Sequence, residues 1–147
     1  MSVRILFVCT GNSARSQMAE GLARALASPG VEIASAGTNP MGVNPLAIEA
    51  MRERGLDITG QRSKKVDQVA GEFDYVITLC DDAARNCPSL PARCARLHWG
   101  LPDPAALTGG AEARRAFAAI RDELESRLRE WLGQQRLLRE EAAPEKG

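Results

Sequence analysis

The sequence predicts an α/β fold: a single domain on an open four-stranded parallel sheet flanked by helices. Three observations carry that expectation. Short β-prone apolar runs alternate with helix-length amphipathic stretches, the pattern of strands that pair in parallel through helical crossovers. The first run, Ile5-Leu6-Phe7-Val8, is apolar at successive positions, as a strand covered on both faces must be. A chain of 147 residues holds one core but not two of ordinary size.

The elements follow in order. Residues 3–8 read as the first strand, with Arg4 near its start. Met18, Leu22 and Leu26 recur every four residues, predicting a helix over 16–27 that Ser28-Pro29-Gly30 stops. Residues 31–35 read as a second strand ending at Gly37. Asn44 then caps, and Pro45 opens, a helix through Arg54 closed by Gly55. A brief helix is expected over 66–71, a third strand over 73–79 and a short fourth over 95–98. From Ala111 onward Phe117, Ile120, Leu124, Leu128 and Trp131 or Leu132 step by three and four, so one apolar stripe docks on the sheet. The domain is expected to span 1–132, and the charged segment 133–147 to be a fraying extension.

Charge narrows the function. Lys plus Arg and Asp plus Glu both count 19, so 19 − 19 = 0 leaves no broad basic surface for nucleic acid or anionic lipid. Any anion site must be local. No run approaches the roughly 20 apolar residues of a spanning helix, and residues 3–8 are too short for a signal-peptide core. A cytoplasmic monomer with neither nucleic-acid nor membrane partners is expected. Its four cysteines, Cys9, Cys80, Cys87 and Cys94, are then better read as catalytic, metal-binding or buried than as disulfide staples.

The stretch CTGNSARS, at 9–16, concentrates the chemistry. It lies between a strand and a helix, where an open α/β sheet offers the unpaired amides and positive dipole end of the next helix. Gly11 and Asn12 tolerate the left-handed dihedrals of an anion nest, and Arg15 can fork two donors onto a tetrahedral oxyanion. Thr10, Gly11, Asn12, Ser13, Ala14, Arg15 and Ser16 are therefore candidate oxyanion binders. Cys9 sits at the floor, where the helix terminus, Arg15 and Ser16 should lower a thiol pKa from its reference of about 8.5. Cys9 is the candidate nucleophile; the alternative is a buried strand-end cysteine beside an ordinary helix.

VCTGNSARSQMAE resembles the phosphate-binding loop of the low-molecular-weight protein tyrosine phosphatases and of the arsenate reductases built on that fold. The similarity continues through SAGT at 35–38, GVNPLAIEAM at 42–51, VITLCDDAARNCP and HWGLPDPA, covering roughly residues 3–132. It implies a low-molecular-weight phosphatase-like fold with no bound cofactor. A leaving oxygen needs a proton, and Asp103 in LPDPA, held between Pro102 and Pro104, matches the general acid of this family. Phosphatases of the fold place an aromatic residue after that Asp-Pro pair to wall a phenyl ring; Ala105 stands there instead.

Water completes a phosphatase cycle, whereas a reductase needs electrons that thiols can supply. Cys80 follows the third strand and should emerge at the same sheet edge as Cys9. Cys87 lies seven residues on, about 10 to 11 Å along a regular helix, so a Cys80–Cys87 disulfide would require the polar segment between them to unwind. Resemblance to the thioredoxin-coupled arsenate reductases implies that relay: Cys9 attacks arsenate, Cys80 attacks Cys9 as arsenite leaves, and Cys87 carries the disulfide to where thioredoxin reduces it. Arsenic detoxification follows as the role, with arsenate and thioredoxin as partners.

Competing readings are specific. A zinc site of Cys80, Cys87, Cys94 and His98 would have spacing C-x6-C-x6-C-x3-H, without tight knuckles, so no metal is expected. Cys94 has no counterpart in the relay, and His98 is read as packing beside Trp99 rather than as a base. Some of these reductases hold potassium beside the loop. Asn12 and Ser35 match two positions of that site, but Arg62 and Lys64 replace a hydroxyl and a carboxylate, so a lysine ammonium is expected to stand in and potassium dependence to be absent. Ala14 stands where many relatives carry a second loop cysteine. The alternatives to a reductase are a small phosphatase acting on phosphotyrosine or other phosphomonoesters, and a non-catalytic oxyanion-binding module.

Overall fold

The computed structural model describes residues 2–69, 71–86, 91–104 and 110–140. Cys87, Ala105 and the segment 141–147 lie outside the described residues. The strands are β1 (Arg4–Cys9), β2 (Glu32–Gly37), β3 (Phe73–Thr78) and β4 (Ala92–His98), all parallel, in the order β2-β1-β3-β4. The expected sheet is therefore present. Cys9 pairs with Gly37, and Val8 with Thr78, so the carboxyl ends of β1, β2 and β3 share one edge.

Alternation along β1 divides the core. Ile5 and Phe7 face α1 (Arg15–Leu26), α2 (Pro45–Arg52) and α4 (Gly110–Gln134), meeting Met18, Leu22, Met51, Phe117, Leu124 and Leu128. Leu6 and Val8 face the other way, onto Val66 of a single 3-10 turn (Val66–Gln68) and Ala83 of α3 (Asp81–Asn86). Two covered faces explain why this strand lacks a polar position after Arg4.

Element limits depart from expectation in instructive ways. The helix foreseen over 16–27 starts at Arg15 and ends at Leu26, and α2 stops at Arg52 before a turn at Gly55. β4 begins three residues earlier than expected, at Ala92. It is an edge strand with several exposed polar residues, so its first half carries no apolar signal. Residues 81–86, read only as a segment able to unwind, form α3.

The segment expected to fray from 133 does not do so through 140. α4 continues to Gln134, the chain reverses at Arg136 (φ 59°), and Leu138 bridges antiparallel to Ala27. Leu137 and Leu138 supply apolar surface against the core, and the Arg139 amide donates to the carbonyl of Leu26 at 2.6 Å, satisfying an end of α1 that has no partner within its helix.

Candidate active site

The loop between β1 and α1 turns its carbonyls outward. Asn39 N donates to Thr10 O (2.8 Å), Met41 N to Gly11 O (2.9 Å) and Asn44 N to Ser13 O (3.0 Å). Gln17 Nε2 donates to Asn12 O (3.0 Å). The N–H of a trans peptide points opposite to its C=O, and the described chain contains no cis bond, so the amides after these carbonyls face the loop interior. Asn12 makes the tight turn with φ 44°. Gly37 lets the loop close on β2, because a Cβ there would stand 2.5 Å from Thr10 O and 2.8 Å from Asn12 N. The result is a cradle of inward amides whose outer shell is fully bonded.

Arg15 reaches the cradle from the first position of α1. Its side chain is 10% exposed, Nη1 donates to Leu101 O (2.8 Å), and Nη2 lies 4.0 Å from Asp103 Oδ1. Nε is buried and has no acceptor among the described residues. A buried N–H left without a partner costs about 1–3 kcal/mol, and a bound oxyanion removes that cost. Cys9, Thr10, Gly11, Ser13, Ala14, Arg15 and Asp103 line one cleft of about 470 Å³, with Met41, Val43 and Pro45 forming an apolar rim. A larger groove of about 620 Å³ between α1, the turn after α2 and α4 contains ion-pairing Glu and Arg side chains and no thiol.

Cys9 and Cys80 are both buried and free, and their side chains hydrogen-bond to each other. The Cys80 sulfur also receives Thr10 Oγ1 (3.3 Å) and the Ala83 amide (3.3 Å) in the first turn of α3. The hydrogen bond from Cys9, then those from Thr10 and Ala83, outweigh burial and pull Cys80 down to about 5. Cys9 moves up, because it donates to Cys80 and is buried; the nearby Arg15 opposes this less strongly. The expectation of a depressed Cys9 thiol is therefore corrected. The two thiols share one proton and titrate as a pair, the contact between them lowering Cys80 and raising Cys9.

The low molecular weight phosphotyrosine protein phosphatase model matches residues 4–143, almost the whole chain. The chain belongs to that family. Within the family its similarity is to arsenate reductases. It is 46% identical to the arsenate reductase of Bacillus subtilis (strain 168) over 129 residues, covering 86% of this chain and 93% of that protein. Among solved structures, an arsenate reductase in the phosphate-binding state superposes with TM-score 0.75 at 31% identity, over 90% of this chain and 98% of that one. The thioredoxin-dependent arsenate reductase of Corynebacterium glutamicum matches with TM-score 0.68 at 29% identity, over 92% of this chain and 62% of that one.

Two loop residues of this family member turn their side chains out of the cleft, leaving only their backbone to face it. Asn12 is fully buried and turned away from the cleft: Nδ2 donates to Ser16 Oγ (2.8 Å) and Ser35 Oγ (2.9 Å), while Oδ1 accepts from Lys64 N (2.9 Å). Ser16 is likewise buried as Asn12's partner. Both brace the cradle from behind. Ser35 Oγ donates onward to Glu20 Oε1 (2.6 Å), and the Lys64 ammonium lies 3.7 Å from that carboxylate and 3.0 Å from Arg62 O. Burial lowers the Lys64 pKa, with Glu20 opposing. A resident potassium ion does not fit here, since the ammonium already faces the carboxylate and the serine oxygen is engaged on both sides.

Sequence reasoning missed Gln17, Glu20 and Ser63, which hold the loop from outside; Ser63 Oγ donates to Gly11 O (3.1 Å). A signal was present in α1, where small Ala19, Gly21 and Ala23 allow a second buried face beyond the Met18-Leu22-Leu26 stripe. His98 does not simply pack beside Trp99: Nδ1 meets Thr78 Oγ1 (2.8 Å) and Nε2 meets Asp81 Oδ1 (2.8 Å). Trp99 packs edge-on against Trp131. Cys94 is exposed on β4, beside the register shift between Phe73 and Tyr75. Among the described residues no group of three or more His, Cys, Asp or Glu is placed to hold a metal, and no helix is long and apolar enough to cross a membrane.

Proposed function

We propose that the protein reduces arsenate to arsenite with electrons from thioredoxin, serving arsenic detoxification in the cytoplasm. One observation carries the reading: a second thiol, Cys80, is hydrogen-bonded to Cys9 at the floor of an oxyanion cradle, where a hydrolase would need only water. The inward amides and Arg15 bind arsenate. Cys9 passes its proton to Cys80 and its sulfur attacks arsenic, while Asp103, facing Arg15 across the cleft, protonates the departing oxygen as water.

Cys80 then gives that proton to an arsenic-bound oxygen and attacks the Cys9 sulfur. The Cys9–arsenic bond breaks, its electron pair stays on arsenic, and arsenite leaves from a Cys9–Cys80 disulfide. The sum is arsenate plus two thiols giving arsenite, water and one disulfide, with arsenic accepting two electrons. Cys87 attacks Cys80 in turn, and thioredoxin reduces the Cys80–Cys87 bond. This last exchange requires α3 to unwind, which its short, polar sequence favours.

A second reading has its own support, because Cys9, Arg15 and Asp103 share one cleft and suffice for slow phosphomonoester hydrolysis. The assay is arsenate-dependent NADPH oxidation with thioredoxin and thioredoxin reductase, run beside p-nitrophenyl phosphate hydrolysis without a thiol donor. Sustained NADPH loss that needs every component is expected, with one arsenite per enzyme from Cys87→Ser and none from Cys9→Ser. Brisk ester hydrolysis with no NADPH loss would replace the reductase by a phosphatase.

A further inference from the structure

His98 lies at the end of β4, outside the oxyanion cleft, yet its ring joins two segments on either side of Cys80. Nδ1 meets Thr78 Oγ1, the last residue of β3, and Nε2 meets Asp81 Oδ1, the first residue of α3. Thr78 is buried at the end of β3, so one end of this bridge is anchored in the sheet. The tautomer with hydrogen on Nε2 serves both bonds: the ring donates to the carboxylate and accepts the threonine hydroxyl.

Space for the bridge is provided by Gly100. A Cβ there would stand 3.1 Å from His98 Nε2 and 3.5 Å from Asp81 Oδ1. Beyond Gly100 the chain stays fastened to the same edge, with Leu101 N donating to Leu79 O (3.0 Å) and Leu101 O accepting from Arg15. The segment 98–103 thus touches the neighbours of Cys80 at one end and presents Asp103 to Arg15 at the other.

We infer that His98 is a positioning residue for Cys80, tying the end of β3 to the first turn of α3 so that the Cys80 sulfur stays on its partners beside Cys9. Those partners are Thr10 Oγ1 and the Ala83 amide, and the second moves with the turn that Asp81 begins. An exposed imidazole–carboxylate hydrogen bond adds little to overall stability, so the contribution of this one lies in orientation. The inference rests on the relay reading, in which Cys80 attacks Cys9.

The test is a single turnover: reduced enzyme without thioredoxin is mixed with saturating arsenate, arsenite release is timed, and phosphate affinity is measured by titration on the same preparations. His98→Ala is expected to release arsenite about tenfold more slowly with the phosphate dissociation constant unchanged, because a small misplacement of an attacking atom costs rate rather than oxyanion binding. Asp81→Asn, which keeps an oxygen for Nε2–H, is expected to stay close to wild type. Gly100→Ala, which crowds the bridge with His98 still present, should be slowed in the same direction. An unchanged release rate in His98→Ala, or rate and phosphate affinity falling together, would overturn the inference. Cys80→Ser separates the two levels: if it releases arsenite at the wild-type rate the relay itself is wrong, whereas a dead Cys80→Ser beside an unaffected His98→Ala removes only the role of His98.

Discussion

Cys9 and Cys80 form one titrating unit, and each residue's pKa belongs to the neighbour it faces. Cys80 sits low because Cys9, Thr10 and Ala83 all donate to it, while Cys9 sits high because it is the donor. Removing either thiol should move the other in a definite direction. In Cys9→Ala the Cys80 thiolate loses its largest stabilising contact, so its midpoint should rise above the value of about 5 it has in the intact pair. In Cys80→Ala the Cys9 thiol loses the acceptor that held its proton, leaving Arg15 nearby, so its midpoint should fall. Ultraviolet thiolate absorbance against pH reads both. Variants lacking one of the two whose remaining member titrates as it does in the pair would show that the sulfurs do not share a proton. The sequence pointed to Cys9 and Arg15 through their spacing between a strand and a helix, but it carried no sign of the proton's location, which depends on a contact 71 residues away in the chain (80 − 9 = 71).

At the scale of elements, the strand-loop-helix unit around Cys9 was legible because its apolar strand, turn-forming loop and four-residue helical repeat all agree. α3 and the first half of β4 were not, since one is six residues with little apolar surface and the other an exposed edge. The backing of the loop was legible in part: the resemblance put Asn12, Ser35 and Lys64 at one site, whereas Glu20, which Ser35 and Lys64 both meet, comes from a helix face that gave no such sign. At Gly37 two elements meet backbone to backbone, and its missing side chain sets how close β2 comes to the cradle. Gly37→Ala would place a Cβ against backbone atoms of Thr10 and Asn12, which cannot swing aside as a side-chain tip can. The loop must shift and its amides lose their aim. Phosphate affinity, read by calorimetric titration, should weaken by more than about tenfold while far-ultraviolet circular dichroism stays native, since aimed donors of this kind are commonly worth a few kcal/mol each.

Across the whole molecule, chemistry and closure occupy opposite ends of the sheet. Cys9, Cys80, Arg15 and Asp103 gather at the carboxyl edge, whereas the chain end that follows α4 returns to the far end of α1. There Ser28 N donates to Leu137 O (2.7 Å), Ser28 Oγ to Leu138 O (3.2 Å), Arg139 N to Leu26 O (2.6 Å) and Arg139 Nε to Ala27 O (3.2 Å). Charge composition suggested a fraying tail because it averages over the segment, whereas two adjacent leucines and the open carbonyls of α1 decide what residues 135–140 do. Ending the chain after Gln134 removes these four hydrogen bonds, each worth about 1 kcal/mol net, and the partial burial of Leu137 and Leu138, worth about 1 kcal/mol apiece. Gln135 N to Trp131 O (3.0 Å), Arg136 N to Gly133 O (3.1 Å) and Leu137 N to Leu132 O (2.8 Å) are lost with them, and ordering six residues opposes the total at about 1.3 kcal/mol per residue, which leaves a net loss on the order of 1 kcal/mol. For a domain of this size that corresponds to a fall of roughly 2–4 °C in Tm. Calorimetry should find that fall while the arsenate turnover rate at room temperature stays within about twofold of the full chain, because residues 135–140 pack at the end of α1 away from the cradle. A truncated protein of unchanged Tm would show that the returning chain end is dispensable to the fold, and one that keeps its Tm but loses turnover would show that it acts on the catalytic edge from the far end of α1.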